Sequence, residues 1–235
     1  RRGVPTLYAR SGAKQAVLAG DYLLSRAMAL VGTQEGDLSP SAVSNAFSRL
    51  CQSELEQDAG QGDFSIPIST YIRRIGGKTA SLFALSSYAG AAVTEAPRCI
   101  QHKMHRIGYC MGMAFQIQDD ILDYEGNGKD LGKEPGKDLL NGIPTLPLLE
   151  AIEQERSLDK EQRILTSQLT NGKKLTKGDA TRAMKRVIEL GGVIKARELA
   201  QSYTDRAFRD IATLAHEEVS HLLHSIFDRL TNRKT

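Results

Sequence analysis

Cysteine is scarce. Cys51, Cys99 and Cys110 are the only three in 235 residues, and no two stand in a Cys-x-x-Cys spacing. An odd number without that spacing argues against a disulfide framework and against a cysteine-based zinc site. It fits a reducing compartment, so a cytoplasmic location is expected. Long apolar runs are missing too: no stretch reaches the ~18 residues of a membrane-spanning helix, and no secretory leader is visible. Neither sign of charge prevails. A formal net charge of +3 is too weak to argue for nucleic acid as a partner, and pairs such as Arg73-Arg74 and Lys173-Lys174 read as solvated surface. Strand patterns are nearly absent. So are a GxSxG elbow, a Walker loop and a Rossmann fingerprint.

What remains is helical. The spacing predicts a first helix over 13–31, with Ala16, Val17, Leu23, Leu24, Ala27 and Leu30 on its apolar side. Ser39-Pro40 supplies a cap residue and a proline at the first position of a second helix, which carries Val43, Phe47, Leu50, Cys51 and Leu55. A third runs over 68–93 and is interrupted at Gly76-Gly77. A fourth follows Pro97 and reaches Tyr124; it is apolar nearly all round over 107–117, the mark of a buried helix. Residues 125–144 then hold five glycines, two prolines and three lysines. A loop of that length inside a compact domain is usually functional. Shorter helices are predicted over 145–155, 159–170, 177–190, 193–213 and 215–230. The whole reads as one all-α domain, 1–235, a helical bundle around a central cavity.

The strongest chemical signal is Asp119-Asp120-Ile121-Leu122-Asp123. Asp119 and Asp123, four apart, share a helix face, where like charges repel. Carboxylates crowded beside an apolar lead-in such as Met111–Phe115 are costly unless a cation compensates them. Magnesium suits carboxylates, waters and phosphate oxygens. The plain alternative is an acidic patch on an exposed face. The glycine–lysine loop that follows, with Lys133 and Lys137, favours a metal plus a polyanion: glycines admit close approach of backbone to phosphate. Taken alone, such a loop is usually a surface connection. Lys78-Thr79 after Gly76-Gly77, and Arg1-Arg2, are weaker phosphate signals, since a solvated lysine and a charged chain end are the ordinary readings. His216, His221 and His224 lie on a late helix. His216 and His221 are five apart, not four, so they do not share a face as zinc ligands would and are expected to be ordinary helix residues.

These motifs together resemble the trans-type isoprenyl (polyprenyl) diphosphate synthases. Residues 112–123, Gly-Met-Ala-Phe-Gln-Ile-Gln-Asp-Asp-Ile-Leu-Asp, resemble the family's second aspartate-rich motif. Gly132-Lys133, Gly136-Lys137-Asp138-Leu139 and the stretch from Gly142 to Pro147 resemble the segment after it. Tyr71 with Lys78-Thr79-Ala80 resembles its Lys-Thr helix, and Glu54-Leu55-Glu56-Gln57 its acidic-glutamine helix. Residues 19–23 resemble the helix that follows the first metal motif, and Arg1-Arg2-Gly3-Val4-Pro5 the arginine pair before that helix. The resemblance implies magnesium-dependent condensation of isopentenyl diphosphate with an allylic prenyl diphosphate, and a homodimer. It implies metal at Asp119 and Asp123 with Asp120 supporting. Lys78, Thr79, Gln116 and Lys133 would contact the allylic diphosphate, as would Arg1, with Arg2 on isopentenyl diphosphate.

Three departures qualify it. The first aspartate-rich motif, expected just before Arg1, is not in the sequence, nor are the basic N-terminal helices. Ile143 stands where many members carry lysine. The chain is therefore expected to be a fragment or a processed product, nearly inactive by itself. Residues 81–84 after the Lys-Thr pair resemble long-chain bacterial members. A non-catalytic partner subunit that lacks the first motif is the alternative from another class. A related terpene cyclase is disfavoured by the Gly-Lys-Asp-Leu loop and the Lys-Thr pair.

Overall fold

The computed structural model describes residues 4–32, 40–125, 136–169 and 175–231. Of these, 83% are helical and none is in a strand, as the 3.6-residue periodicity predicts. Helix α1 (Leu7–Gly32) contains one non-helical residue, Gly12, at φ 81°. Only glycine adopts that angle without strain, so the helix kinks there: it opens six residues before the expected start, and the helix expected over 13–31 is its longer part. Helix α2 (Pro40–Ala59) opens on its proline. Helix α3 (Ile68–Ile75) starts after Pro67, whose carbonyl accepts the amides of Thr70 and Tyr71.

Gly76-Gly77 does not interrupt the third helix. It forms a π-helical turn, Gly76–Ala80, which continues directly into α4 (Ser81–Val93). The reason is close packing. A Cβ at Gly76 would stand 2.8 Å from the Tyr109 hydroxyl, and one at Gly77 would collide with the Ser53 hydroxyl. The turn is thus wedged between α2 and the central helix α5 (Arg98–Glu125). Ile107, Met113, Ile117 and Ile121 on α5 are fully covered. Helix α5 packs chiefly against α4 and α10 (Gly192–Ile211). Gly108 and Gly112 let α4 lie directly on it: a Cβ at Gly112 would sit 2.6 Å from the Ala80 Cα.

The segment expected to be a loop over 125–144 contains a short helix, α6 (Lys137–Leu140), opened by left-handed Gly136. Helix α7 (Leu146–Arg156) follows with a proline in its first turn. The helix expected over 159–170 is two pieces, a 3-10 turn at Lys160–Gln162 and α8 (Ile164–Leu169). Buried Glu155 explains α8, because its carboxylate accepts the amides of Leu165 and Thr166 and the Thr166 hydroxyl. Helix α9 (Lys177–Glu189) carries a capping box between Thr176 and Asp179. Helix α11 (Glu217–Thr231) closes the described chain.

The apolar side of the first helix is largely exposed. Val17, Leu23 and Leu30, assigned to the apolar side of the first helix, are 62%, 66% and 63% exposed. Among the described residues α1 packs mainly against α2, which leaves one side of α1 uncovered. Among the described residues, no helix is long and apolar enough to cross a membrane.

Candidate diphosphate and metal site

The site is built where α3, the π turn and α5 meet. The π turn presents Lys78 and Thr79 in succession. Lys78 Nζ lies 3.1 Å from Glu54 Oε1 and donates to Gln57 Oε1 at 3.3 Å. Both partners belong to the Glu54–Gln57 motif of α2, so the structure joins two motifs that are far apart in sequence. Thr79 donates its hydroxyl proton to Gln116 Oε1 at 2.7 Å, and Gln116 Nε2 donates to Asp120 Oδ1 at 2.9 Å. On Asp120, Oδ2 accepts the Tyr71 hydroxyl at 2.7 Å. Four side chains thus form one continuous chain of hydrogen bonds.

The three aspartates differ in surroundings. Asp119 and Asp123 are half-buried and share the outward side of α5, whereas Asp120 is buried. Asp123 accepts the amides of Lys137 at 3.3 Å and Asp138 at 3.2 Å, and its carbonyl accepts the Gly136 amide. It therefore caps α6 and ties the end of the glycine-rich segment to the end of α5. Burial pushes Asp120 up to about 7, against the lowering effect of its bonds from Tyr71 and Gln116; Asp138 and Asp119 push the same way as burial. Burial, and then Asp120, raise Tyr71 well above the usual tyrosine range. Tyr124 is raised by burial and shares a hydrogen bond of 3.0 Å with Thr145.

Among the described residues, no three His, Cys, Asp or Glu side chains are grouped so as to hold an ion. Magnesium commonly completes its coordination with phosphate oxygens and water. Next to the site is an apolar cleft of about 1200 Å³ lined by Leu82, Phe83, Met104, Met111, Leu223 and Ile226, among others. Leu82 and Phe83 are three and four residues after Thr79, on the same helix face. The cleft therefore begins one turn from the hydroxyl, and the Phe83 and Phe115 rings stand 5.4 Å apart beside it.

Of the residues expected from the sequence, Lys78, Thr79, Gln116, Asp119, Asp120 and Asp123 lie along this one region. Arg1, Arg2 and Lys133 lie outside the described residues. Of the late histidines, His216 falls just before α11 and lines the apolar cleft, against the expected helical placement, whereas on α11 His221 pairs with Glu217 at 3.7 Å and His224 packs on the Phe208 ring. Sequence reasoning missed the hydroxyl of Tyr71, the pairing of Lys78 with α2 and the capping of α6 by Asp123. Only the tyrosine left a signal, at the first turn of a helix that ends in the Lys-Thr pair.

This is an all-helical scaffold that sets carboxylates, a lysine–threonine turn and an apolar cleft side by side. The chain belongs to the polyprenyl synthetase family, whose sequence model matches residues 1–187. It is 39% identical over 156 residues to heptaprenyl diphosphate synthase component 2 of Geobacillus stearothermophilus, covering 66% of this chain and 49% of that protein. The Bacillus subtilis protein of the same name is 30% identical over 240 residues, covering 100% of this chain and 65% of that one. The chain thus spans about half to two thirds of the length of these relatives. Among solved structures, a polyprenyl synthase from Caulobacter crescentus, complexed with calcium and isoprenyl diphosphate, superposes with a TM-score of 0.89 at 29% identity. That match covers 100% of this chain and 71% of the other. Heptaprenyl diphosphate synthase from Staphylococcus aureus superposes with a TM-score of 0.90 at 27% identity, covering 100% and 72%.

Proposed function

We propose that this chain carries the second aspartate site and the diphosphate-binding turn of a prenyltransferase. The reaction is elongation, in which an allylic prenyl diphosphate condenses with isopentenyl diphosphate. The observation that supports it best is the chain Thr79–Gln116–Asp120–Tyr71 beside Asp119, one helical turn from an apolar cleft. A diphosphate head and a prenyl tail require those two environments in that order.

The donor set fits magnesium. Asp119 and Asp123 offer hard carboxylate oxygens on one side of α5. Neither thiol nor imidazole is among the assigned residues. Asp119 and Asp123 would hold the ion, with Asp120 supporting from within. When bound, magnesium would neutralise diphosphate oxygens and make the diphosphate a better leaving group.

The chain's own residues bind and orient. Lys78, released from Glu54 and Gln57, would meet the allylic diphosphate as a point charge. Thr79 and Gln116 line the same position, and Lys133, Arg1 and Arg2 complete the proposed set. The apolar cleft holds the prenyl chain and keeps water from the reacting carbon. There the bond from carbon to the diphosphate oxygen breaks, the isopentenyl double bond supplies the electrons of the new carbon–carbon bond, and a proton leaves.

A homodimer belongs to the same proposal. Helix α1 exposes Val17, Leu18, Tyr22, Leu23 and Leu30, an apolar surface that a second copy could cover. Two relatives are named component 2, so a dissimilar partner is the alternative that assembly measurements must decide. The three cysteines are unpaired, in keeping with a reducing cytoplasm.

Calorimetry with inorganic pyrophosphate, with and without magnesium, tests the site. Affinity should rise with magnesium, and Asp119→Ala should abolish that rise. An Asp119→Ala variant with unchanged magnesium-dependent affinity would refute the site.

A further inference from the structure

The hydroxyl of Tyr71 has no part in the roles above, yet it is committed to Asp120 deep in the core. Tyr71 is 3% exposed and Asp120 6%. The two oxygens of Asp120 are taken by two different donors, Tyr71 at 2.7 Å and Gln116 at 2.9 Å. A buried carboxylate gripped from both sides is held in one rotamer. The consequence passes outward along the chain. Because the amide nitrogen of Gln116 faces Asp120, its carbonyl oxygen faces Thr79 and takes that hydroxyl's proton at 2.7 Å. Every donor in the array points toward Asp120. The orientation of the two groups at the diphosphate position is thus set from the core side.

We propose that Tyr71 is a positioning residue: it fixes Asp120 and, through Gln116, the hydroxyl of Thr79, and so couples diphosphate at the Lys78–Thr79 turn to the ion at Asp119. Tyr71 comes from α3, before the π turn, whereas Asp120 and Asp119 are neighbours on α5. The bond therefore also ties the segment that carries the turn to the segment that carries the carboxylates. A merely structural tyrosine would fill space with its ring and be indifferent to the hydroxyl. This inference rests on the diphosphate–metal reading above.

Tyr71→Phe separates the two, since it keeps the ring and removes the hydroxyl. The chain is titrated with inorganic pyrophosphate in the presence and absence of magnesium, and its melting temperature is recorded. Magnesium-free affinity should be unchanged, while the gain in affinity on adding magnesium should shrink about tenfold, as for one lost hydrogen bond to a charged group. Tyr124→Phe serves as the control. It removes another buried hydroxyl near the same helix end, one that bonds to Thr145 instead, and should leave the magnesium gain intact. Asp120→Asn reads the same contact from the other side. It should reduce the gain, and combined with Tyr71→Phe it should add little to the larger single loss.

A full magnesium gain in Tyr71→Phe, or equal losses in Tyr71→Phe and Tyr124→Phe, overturns the assignment of Tyr71 and leaves the site itself standing. If Tyr71→Phe does not fold, Asp120→Asn with a full gain overturns it equally. Absence of any magnesium gain in the unmodified chain overturns the site reading and this one together, and that failure is visible before any variant is made.

Discussion

Adding one methyl group at Gly112 should damage fold and site together, and the same change at Gly90 should do neither. The Cβ of Gly112→Ala would lie 2.6 Å from Ala80 Cα, 3.1 Å from Phe83 Cβ and 3.2 Å from Ala80 Cβ. Carbon atoms rest at roughly 3.5–4.0 Å, so α4 and the π turn must back away from α5 by about 1 Å. The first obstacle is backbone, which cannot swing aside as a side-chain tip would. Overpacking of this kind costs about 1–3 kcal/mol. For a chain of this size that lowers the melting temperature by roughly 2–4 °C per kcal/mol. Gln116 stands one turn after Gly112 and Thr79 directly precedes Ala80, so the same displacement opens the 2.7 Å bond between Thr79 and Gln116. At about 3.5 Å or more such a bond is lost, and magnesium-dependent pyrophosphate binding should weaken about tenfold. At Gly90 nothing lies within 4 Å of the added Cβ. There alanine should stabilise by about 0.5–1 kcal/mol through helix propensity alone. Thermal melts and pyrophosphate calorimetry on both variants suffice. Equal melting temperatures for Gly112→Ala and Gly90→Ala would refute the close-packing argument. A destabilised Gly112→Ala with intact binding would refute its link to the site.

The remaining predictions address charge, capping and assembly. Asp120 is an acid whose folded pKa, about 7, lies above its unfolded value. Its contribution is therefore fully present below pH ~4 and lost as pH rises through 7. Metal-free melts from pH 4 to 8 should show the unmodified chain losing stability relative to Asp120→Asn over that window, and a pH-independent difference would refute this. Glu155→Ala removes the acceptor of the Leu165 and Thr166 amides at a fully buried position. It should cost about 3 kcal/mol with no effect on pyrophosphate affinity, because Glu155 touches none of the site residues; a melting temperature within error of the parent would sink it. Leu23→Glu, at a residue 66% exposed, should halve the mass seen by light scattering with little change in thermal stability. An unchanged mass would place the contact elsewhere than α1.

Most helices were legible because their apolar residues recur at three and four and because proline marks several starts. The proline-led α2 and the long buried α5 follow from that pattern. Two kinds of feature were not legible. The π turn was read as a break because Gly76-Gly77 lowers helix propensity, while the contacts that require glycine there, Tyr109 and Ser53, come from distant segments. That the apolar side of α1 stands exposed was not legible either, because periodicity reports that a face is apolar and says nothing of what covers it. Helix α6 was hidden in a loop because four residues are too short to show a period. It exists because Asp123, fourteen residues earlier, accepts the Lys137 amide. At the site, residue types pointed to the right neighbourhood. The pairings of Lys78 with Glu54 and of Tyr71 with Asp120 needed three dimensions, being separations of 24 and 49 positions.

Helical geometry also explains why one five-residue run holds aspartates in three different situations. Neighbouring residues of a helix differ by 100° in direction, and residues four apart nearly coincide. Asp119 and Asp123 therefore share a side, and Asp120 must turn away from them. That turn carries it into the core, where an ionised carboxylate is unfavourable unless donors meet it. Tyr71 and Gln116 are those donors. Four residues beyond Asp119 the helix is ending, so Asp123 reaches the first amides of α6 and closes the segment that follows. Donors from the core thus meet Asp120, and the amides of α6 meet Asp123. An ion shared with diphosphate would relieve the like charges of Asp119 and Asp123, and because Asp123 also holds the first amides of α6, Asp119→Ala is the substitution that tests the site without disturbing that cap.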